Sequence, residues 1–358
     1  MITRILQVDR DRPDPSAIEE AAAALKAGKL VVFPTETVYG LGAHALDPVA
    51  VQKIFDAKER PATDPLIVHI AHIGQVNQCA IGMPAGARKL GLSFWAGPLT
   101  LILKKKPAVP DLVTAGLDSV ALRVPSHRVA RALMEMAGVP VAAPSANRFS
   151  RPSPTTAAHV LEDLDGRVDL ILDAGPTDIG LESTIVDFTV DPPVIRRPGG
   201  VTFEQVHSLV PEVVMSESQG SAEEPQVAPG QLTRHYAPRA EMTLYEGAPE
   251  PVVQRMANDA RSLVAQGSRV GILAAEEDLN ALAPMIAAVA SAGKVVVQPI
   301  GSRADLERAA RELFASIRAI DATGVDVILS SSPGTDGLAR AIRDRLMRAA
   351  DGRIRTVV

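Results

Sequence analysis

VVFPTETVYGLGAHALD, residues 31–47, opens as a buried strand at Val31-Val32-Phe33 and breaks at Pro34. It then sets Thr35, Glu36 and Thr37 ahead of a Gly-x-Gly at Gly40 and Gly42. Hydroxyls, a carboxylate and glycines at the end of a core strand are the ingredients of a ligand site, because open α/β folds bind ligands at strand ends. A plain turn in which the glycines supply positive φ explains the same residues equally well, since a lone Gly-x-Gly is a weak signal.

Outward from this stretch, strands and helices alternate. Asp14-Pro15 reads as a cap and first position of a helix that ends at Gly28, and Asp47-Pro48 repeats the signal before VAVQKIFDAK (49–58). Strands are expected at 29–33, 66–70, 100–106, 119–125, 139–147, 168–175, 183–189 and 193–199, with helices at 128–138 and 155–164. Residues 211–240 are rich in Pro, Ser, Gln and Glu and read as a linker. Beyond it, strands at MTLYEG, RVGILAA, KVVVQPI and VDVILS alternate with long helices, which indicates a parallel α/β sheet without a dinucleotide fingerprint. The expected organisation is a domain over 1–210, a linker over 211–240 and a smaller Rossmann-like domain over 241–358.

The whole chain has 358 residues, 46% hydrophobic and 22% charged, with a net charge of −5 and aromatics at 3%. That composition is globular and argues against a dedicated nucleic-acid binder that stacks bases on aromatic side chains. One cysteine, Cys79, allows no internal disulfide and points to a reducing cytoplasm. Neither a signal peptide nor a membrane span is expected.

In the first half, small polar and basic residues gather just after strands and helices: Thr35-Glu36-Thr37, Lys58 and Arg60, Ser145 and Asn147, Ser150 to Thr156, Glu182-Ser183-Thr184, and Arg196-Arg197. Such donors suit an anion. Ser153-Pro154 reads as the start of a helix, whose N-terminus would favour phosphate. The bland readings are a helix-capping role for Lys58 and Arg60, a solvated Ser/Pro loop, and an ion-paired Arg196-Arg197. No HExxH, no Gly-x-Ser-x-Gly and no P-loop occurs, and no metal-ligand set is expected. A nucleotide enzyme built this way would act by positioning and charge stabilisation.

Taken together, KLVVFPTETVYGLG, KERPATDPLIVHI, RVP (123–125), APSAN (143–147), RPSPTT (151–156) and GLESTIVD (180–187), in this order, resemble the YrdC-like family. APGQLTRHYAP (228–238) resembles the linker of its two-domain members. The resemblance implies a twisted mixed sheet with flanking helices and a large cleft in the first domain. It implies that L-threonine, bicarbonate and ATP with Mg²⁺ condense to L-threonylcarbamoyladenylate and pyrophosphate. A downstream transferase complex then modifies the tRNA adenosine beside the anticodon, with at most weak tRNA contact by this chain. It places Thr35, His69, Arg123, Ala143 and Ser183 at threonine, and Lys58, Thr63, Ser119, Ser145, Ser153, Arg197 and Tyr236 at ATP. Lys58, Arg60, Ser145 and Asn147 carry the chemistry, and His235 and Tyr236 belong to a linker that covers the cleft. One departure is Ser150, where the family often has glycine; the loop's conformational freedom changes, and activity is expected to survive. The alternative reading is an RNA-binding module without adenylate chemistry.

Overall fold

The computed structural model describes residues 2–216, 224–291 and 293–357, so part of the linker, 217–223, lies outside the described residues. The chain divides into two compact units, 1–149 with 153–232, and 150–152 with 233–358.

The first unit is built on one mixed sheet. Its strands in chain order are β1 (Arg4–Gln7), β2 (Val31–Pro34), β3 (Tyr39–His44), β4 (Ile67–His69), β5 (Leu99–Lys104), β6 (Ser119–Arg123), β7 (Val141–Ala142), β8 (Leu170–Asp173), β9 (Thr184–Asp187), β10 (Val194–Arg197) and β11 (Val214–Met215). They lie in the order β1-β8-β2-β3-β7-β4-β6-β5-β9-β10-β11. Its helices are α1 (Pro15–Lys26), α2 (Pro48–Lys58), α3 (Val76–Cys79), α4 (Ala85–Phe94), α5 (Arg128–Ala137), α6 (Ala157–Leu164) and α7 (Phe203–Leu209). The caps read from sequence are present: Asp14 accepts from Ser16 N–H, Asp47 accepts from Val49 and Ala50 N–H, and Gly138 ends α5 in the left-handed region. The apolar spacing of α1 (Ala17, Ile18, Ala21, Ala22, Leu25) buries one stripe, as an amphipathic helix requires.

Alternation along the strands decides which face is covered. Leu30, Val32, Leu41, Val68, Leu101, Leu103, Val120 and Leu122 join residues of α2, α4, α6 and α7 in one large core. On the opposite face, Val31, Phe33, Val141, Leu170 and Leu172 pack under α1 and α5. On the same side of β4, β6, β5 and β9, a small cluster of Ile67, Ile102, Ala121 and Ile185 packs with Val227 and Ala228 of the segment that follows β11. This face carries the site described below.

The second unit contains β12 (Glu241–Gly247), α8 (Pro249–Ala265), β13 (Val270–Ala274), α9 (Glu276–Ala290), β14 (Val295–Pro299), α10 (Leu306–Ala322), β15 (Val327–Ser331), α11 (Gly337–Ala349) and β16 (Ile354–Val357). Its sheet is parallel throughout, in the order β14-β13-β15-β12-β16. Val270 and Ile272 pack under α8 and α9, whereas a Cβ at Gly271 would meet Ile320 of α10, so the two helix pairs cover opposite faces. The edge strands β1 and β16 were absent from the sequence reading; each is short and carries little apolar alternation. Among the described residues no helix is long and apolar enough to cross a membrane.

Candidate active site

Strand register assembles the first part of the site. Arg123 on β6 sits opposite His69 on β4 and Thr100 on β5, and Thr100 sits opposite Ile185 on β9. Side chains directly across a ladder share a face, so these residues project on the side that carries the Ile67, Ile102, Ala121 and Ile185 cluster. Ser183 precedes β9 and shares a 2.7 Å hydroxyl–hydroxyl hydrogen bond with Thr100. Ala143 joins through its N–H, which donates to Ile67 O at 2.9 Å. Ser119 lies on the same face four residues before Arg123, about 13 Å away along the strand. Between them Ile67, Ile102, Ala121 and Ile185 form an apolar floor. A ligand with a polar end, a flat apolar end and a length of about a nucleotide matches this layout.

The buried turn Thr35-Glu36-Thr37 borders the polar end. Thr35 Oγ1 donates to Val38 O at 2.6 Å and lies 2.8 Å from Thr37 Oγ1. Glu36 Oε1 accepts from Arg123 Nη2 at 2.6 Å, and Oε2 accepts from Ser126 N–H at 3.0 Å. The sequence reading placed Arg123 at a substrate carboxylate without naming Glu36 as its partner; the signal was the carboxylate between Thr35 and Thr37. Gly40 and Gly42 are strand residues of β3, and neither has positive φ. The turn reading of these glycines is therefore corrected. A Cβ on Gly42 would lie 2.8 Å from the Phe33 ring and 3.1 Å from Val31 O, so close packing requires glycine there, whereas Gly40, which bridges to Ser145, has room for a Cβ. His69 packs edge-on against Phe33, with ring centroids 6.2 Å apart. Burial, reinforced by the Arg123 charge, holds the His69 imidazole down at about 3.

Basic groups define the other part. Lys58, the last residue of α2, is 1% exposed and its ammonium donates to Ser145 O and Asn147 O, each at 2.6 Å. Burial first, then the neighbouring Arg60, holds Lys58 well below the ordinary lysine range. Glu59 adopts the left-handed conformation and caps the helix, and this turn brings Arg60 round beside Asp64 at 3.0 Å. Asp64 was missed by the sequence reading and is fully buried; burial raises its carboxyl, while Arg60, Lys58 and Arg197 oppose that shift. Arg197 donates to Ser183 O at 3.1 Å and to Pro229 O at 3.1 Å. Gln226 N–H donates to Thr63 O at 2.8 Å, so the segment after residue 224 rests on Thr63 and Arg197. Arg196 instead pairs with Asp187 at 2.8 Å, as its bland reading anticipated.

Ser153 does not begin a helix. The helix α6 starts at Ala157, capped by Thr156. Pro154 disfavours helical backbone at the residue before it, and Ser153 Oγ donates to Glu182 Oε1 at 2.5 Å. The helix-terminus phosphate site is therefore replaced by a hydroxyl–carboxylate contact.

Residues 23–199 match the family model described as telomere recombination (Sua5, YciO, YrdC), and 201–351 match that of the threonylcarbamoyl-AMP synthase C-terminal domain. Over 99% of both chains, the sequence is 41% identical to the threonylcarbamoyl-AMP synthase of Pyrococcus abyssi. The chain belongs to the threonylcarbamoyl-AMP synthase family. The Bacillus subtilis member is 44% identical over 95% of this chain and 94% of its own. The crystal structure of P. abyssi Sua5 complexed with L-threonine superposes with a TM-score of 0.89 at 40% identity, covering both chains fully.

Of the residues that the family resemblance assigns, the first unit brings Lys58, Arg60, Ser145 and Asn147 together, and His69, Arg123 and Ser183 together. Ser119 stands apart beside a hollow of about 600 Å³ lined also by Lys104, Asp187, Arg196 and Val227. His235 and Tyr236 belong to the second unit, where Tyr236 is fully buried against Phe314 (ring centroids 5.2 Å apart) and Arg345.

Proposed function

We propose that this chain condenses L-threonine, bicarbonate and ATP to L-threonylcarbamoyladenylate and pyrophosphate. The observation that carries the reading is the gathering of Lys58, Arg60 and Arg197, each at most 7% exposed, about the carboxylate of Asp64 beside the Ser145 and Asn147 carbonyls. Three basic side chains gathered in one buried place suit an anionic ligand. A triphosphate supplies that charge, and the apolar floor toward Ser119 accepts the adenosine end.

Threonine occupies the recess of Thr35, His69, Arg123, Ala143 and Ser183. Neutral His69 offers a hydrogen bond without adding charge, and the Glu36-held guanidinium of Arg123 faces the substrate carboxylate in a fixed orientation. The threonine amine forms an N–C bond to the carbon of bicarbonate, and water leaves, which gives a carbamate. A carbamate oxygen forms the new bond to the α-phosphorus, and the bond to the bridging oxygen breaks, so that pyrophosphate leaves with the electron pair. Lys58, Arg60 and Arg197 stabilise the charge that develops on the leaving group, and Ser145 and Asn147 position Lys58 through their carbonyls. ATP enters as its magnesium complex, the metal held by phosphates and water. Ser153 and Thr63 complete the nucleotide contacts in the first unit. The product serves a cytoplasmic transferase complex that modifies the tRNA adenosine beside the anticodon.

Pyrophosphate release is measured with Mg²⁺, ATP, bicarbonate and L-threonine, omitting each in turn. Release that requires both threonine and bicarbonate and falls by a factor of about 10² or more in Lys58→Ala is expected. Release indifferent to threonine sinks the reading.

A further inference from the structure

Residues 150–152 interrupt the first unit. Both flanks, 147–149 and Ser153 onward, belong to it, while Ser150, Arg151 and Pro152 belong to the second unit. Each of the three is held there. Ser150 O accepts from Ala237 N–H at 2.7 Å. The Arg151 guanidinium meets Asp321 Oδ2 at 3.2 Å. Pro152 O accepts from Arg318 Nη2. Asp321 uses its other oxygen for the backbone N–H groups of Arg239 at 2.8 Å and Ala240 at 3.0 Å. One carboxylate on α10 thus holds the tip of the 147–153 loop together with the segment that leaves Tyr236.

We infer that Asp321, with Arg318, is a positioning residue for the nucleotide site. The ends of the loop carry the relevant groups. On one side, Asn147 O accepts from Lys58, Phe149 N–H donates to Lys58 O at 2.9 Å, and the Phe149 ring lies 5.9 Å from the Arg60 guanidinium carbon. On the other, Ser153 donates to Glu182. Three extended residues span at most about 11 Å, so fixing the tip constrains both ends. Ser150 (φ 65°) and Tyr236 (φ 60°) both hold left-handed backbone without being glycine, and each lies at the Ala237–Ser150 contact. Such strain persists where surrounding contacts over-determine it.

Asp321 is an unfavourable choice for a purely structural position. It is 7% exposed and lies in the last turn of α10, where the helix dipole disfavours negative charge. An apolar residue would suit the helix better; the carboxylate is explained by the two backbone N–H groups and the guanidinium that it joins.

This inference rests on the synthase reading for its kinetic arm only. In the full chain, Asp321→Ala removes both halves of the clasp. Asp321→Asn keeps an acceptor for Arg239 and Ala240 N–H but lacks the charge for Arg151. Arg151→Gln removes the same charge from the loop side. The expected result for Asp321→Ala is a rise in KM for ATP of about tenfold or more, since hydrogen bonds to charged groups are each worth that factor. Asp321→Asn and Arg151→Gln fall between it and the parent, and threonine affinity by calorimetry stays within about twofold in all three. Hydrogen exchange of 148–153 and 237–240 accelerates together in Asp321→Ala, and exchange of 148–153 accelerates in Arg151→Gln. Unchanged exchange of 148–153 in both charge-removing variants, or ATP and threonine affinities falling in parallel, overturns the inference. If Asp321→Ala does not fold, the other two variants decide on the same readouts. A parent chain without threonine-dependent pyrophosphate release defeats the synthase reading instead, and the exchange measurement together with ATP affinity by calorimetry then decides the clasp.

Discussion

His69 converts the geometry of the site into a pH dependence that can be calculated. Its imidazole is 3% exposed, and burial with the nearby Arg123 charge lowers it from 6.5 to about 3 in the folded chain. The unfolded chain therefore binds a proton at His69 before the folded chain does. The stability that this group contributes is complete above the unfolded value and is lost as pH falls below it. Between pH 7 and pH 5 the unfolded histidine passes from largely neutral to almost fully protonated, while the folded one stays neutral. Integrating the proton difference gives a loss of about 2 kcal/mol from His69 alone. The figure hardly changes for any folded value at or below 4, because at pH 5 the folded group is neutral in each case.

The assay is urea unfolding at pH 7 and pH 5 for the parent and for His69→Gln. The one tryptophan, Trp95, lies in the first unit and reports that unit by fluorescence. Other titrating groups cancel in the difference between the two proteins. His69→Gln is expected to begin less stable at pH 7 and to lose about 2 kcal/mol less than the parent on going to pH 5. With a slope of about 3 kcal/mol/M, the midpoint shifts differ by about 0.6 M. Equal losses would show that His69 is not held neutral by burial, and the account of an uncharged hydrogen-bonding group beside threonine would fail with it.

Two other predictions follow from the same packing. Burial and Arg60 lower Lys58, and a bound polyanion reverses that shift, so ATP binding takes up protons and weakens as pH rises; calorimetry at pH 8 in buffers of different ionisation enthalpy should show uptake that is absent in Lys58→Met, and proton-neutral binding by the parent contradicts the assignment. A Cβ at Gly199 would lie 2.3 Å from Glu182 O and 2.5 Å from Ser183 C and Thr184 N, so Gly199→Ala is expected to destabilise the first unit by about 2–3 kcal/mol and to weaken threonine binding through Ser183; a urea midpoint equal to the parent's would show that the 182–184 backbone yields at little cost.

Most of the strands and helices were legible because local chemistry announces them. Asp-Pro caps, glycine stops and the apolar run at 31–33 act within a few residues, and the structure places elements at those points. The edge strands β1 and β16 were not legible, since short edge strands gain their order from a neighbour distant in sequence: β1 pairs with β8, and β16 with β12. The start of α6 was misread because Ser-Pro resembles a helix opening, while the next real cap, Thr156, stands three residues later.

For the site, residue types at strand ends pointed to an anion, but their counter-charges did not stand out. Glu36 is separated from Arg123 by 87 positions, and Asp64 lies in a loop that reads as an ordinary Pro/Asp turn. Partners of this kind matter more to the chemistry than their visibility indicates. A buried guanidinium without Glu36 would incur a desolvation cost that its substrate must repay, whereas with Glu36 it is already oriented when threonine arrives. Lys58, Arg60 and Arg197 are instead gathered together, all three acting on the carboxylate of Asp64. In the proposed arrangement the threonine end pairs one guanidinium with one carboxylate, while the phosphate end gathers three basic groups. That difference matches the proposed substrates, a zwitterionic amino acid held from the sheet face of β4, β5 and β6 and a polyanion held where α2 ends, and it explains why neither end carries a binding motif legible on its own.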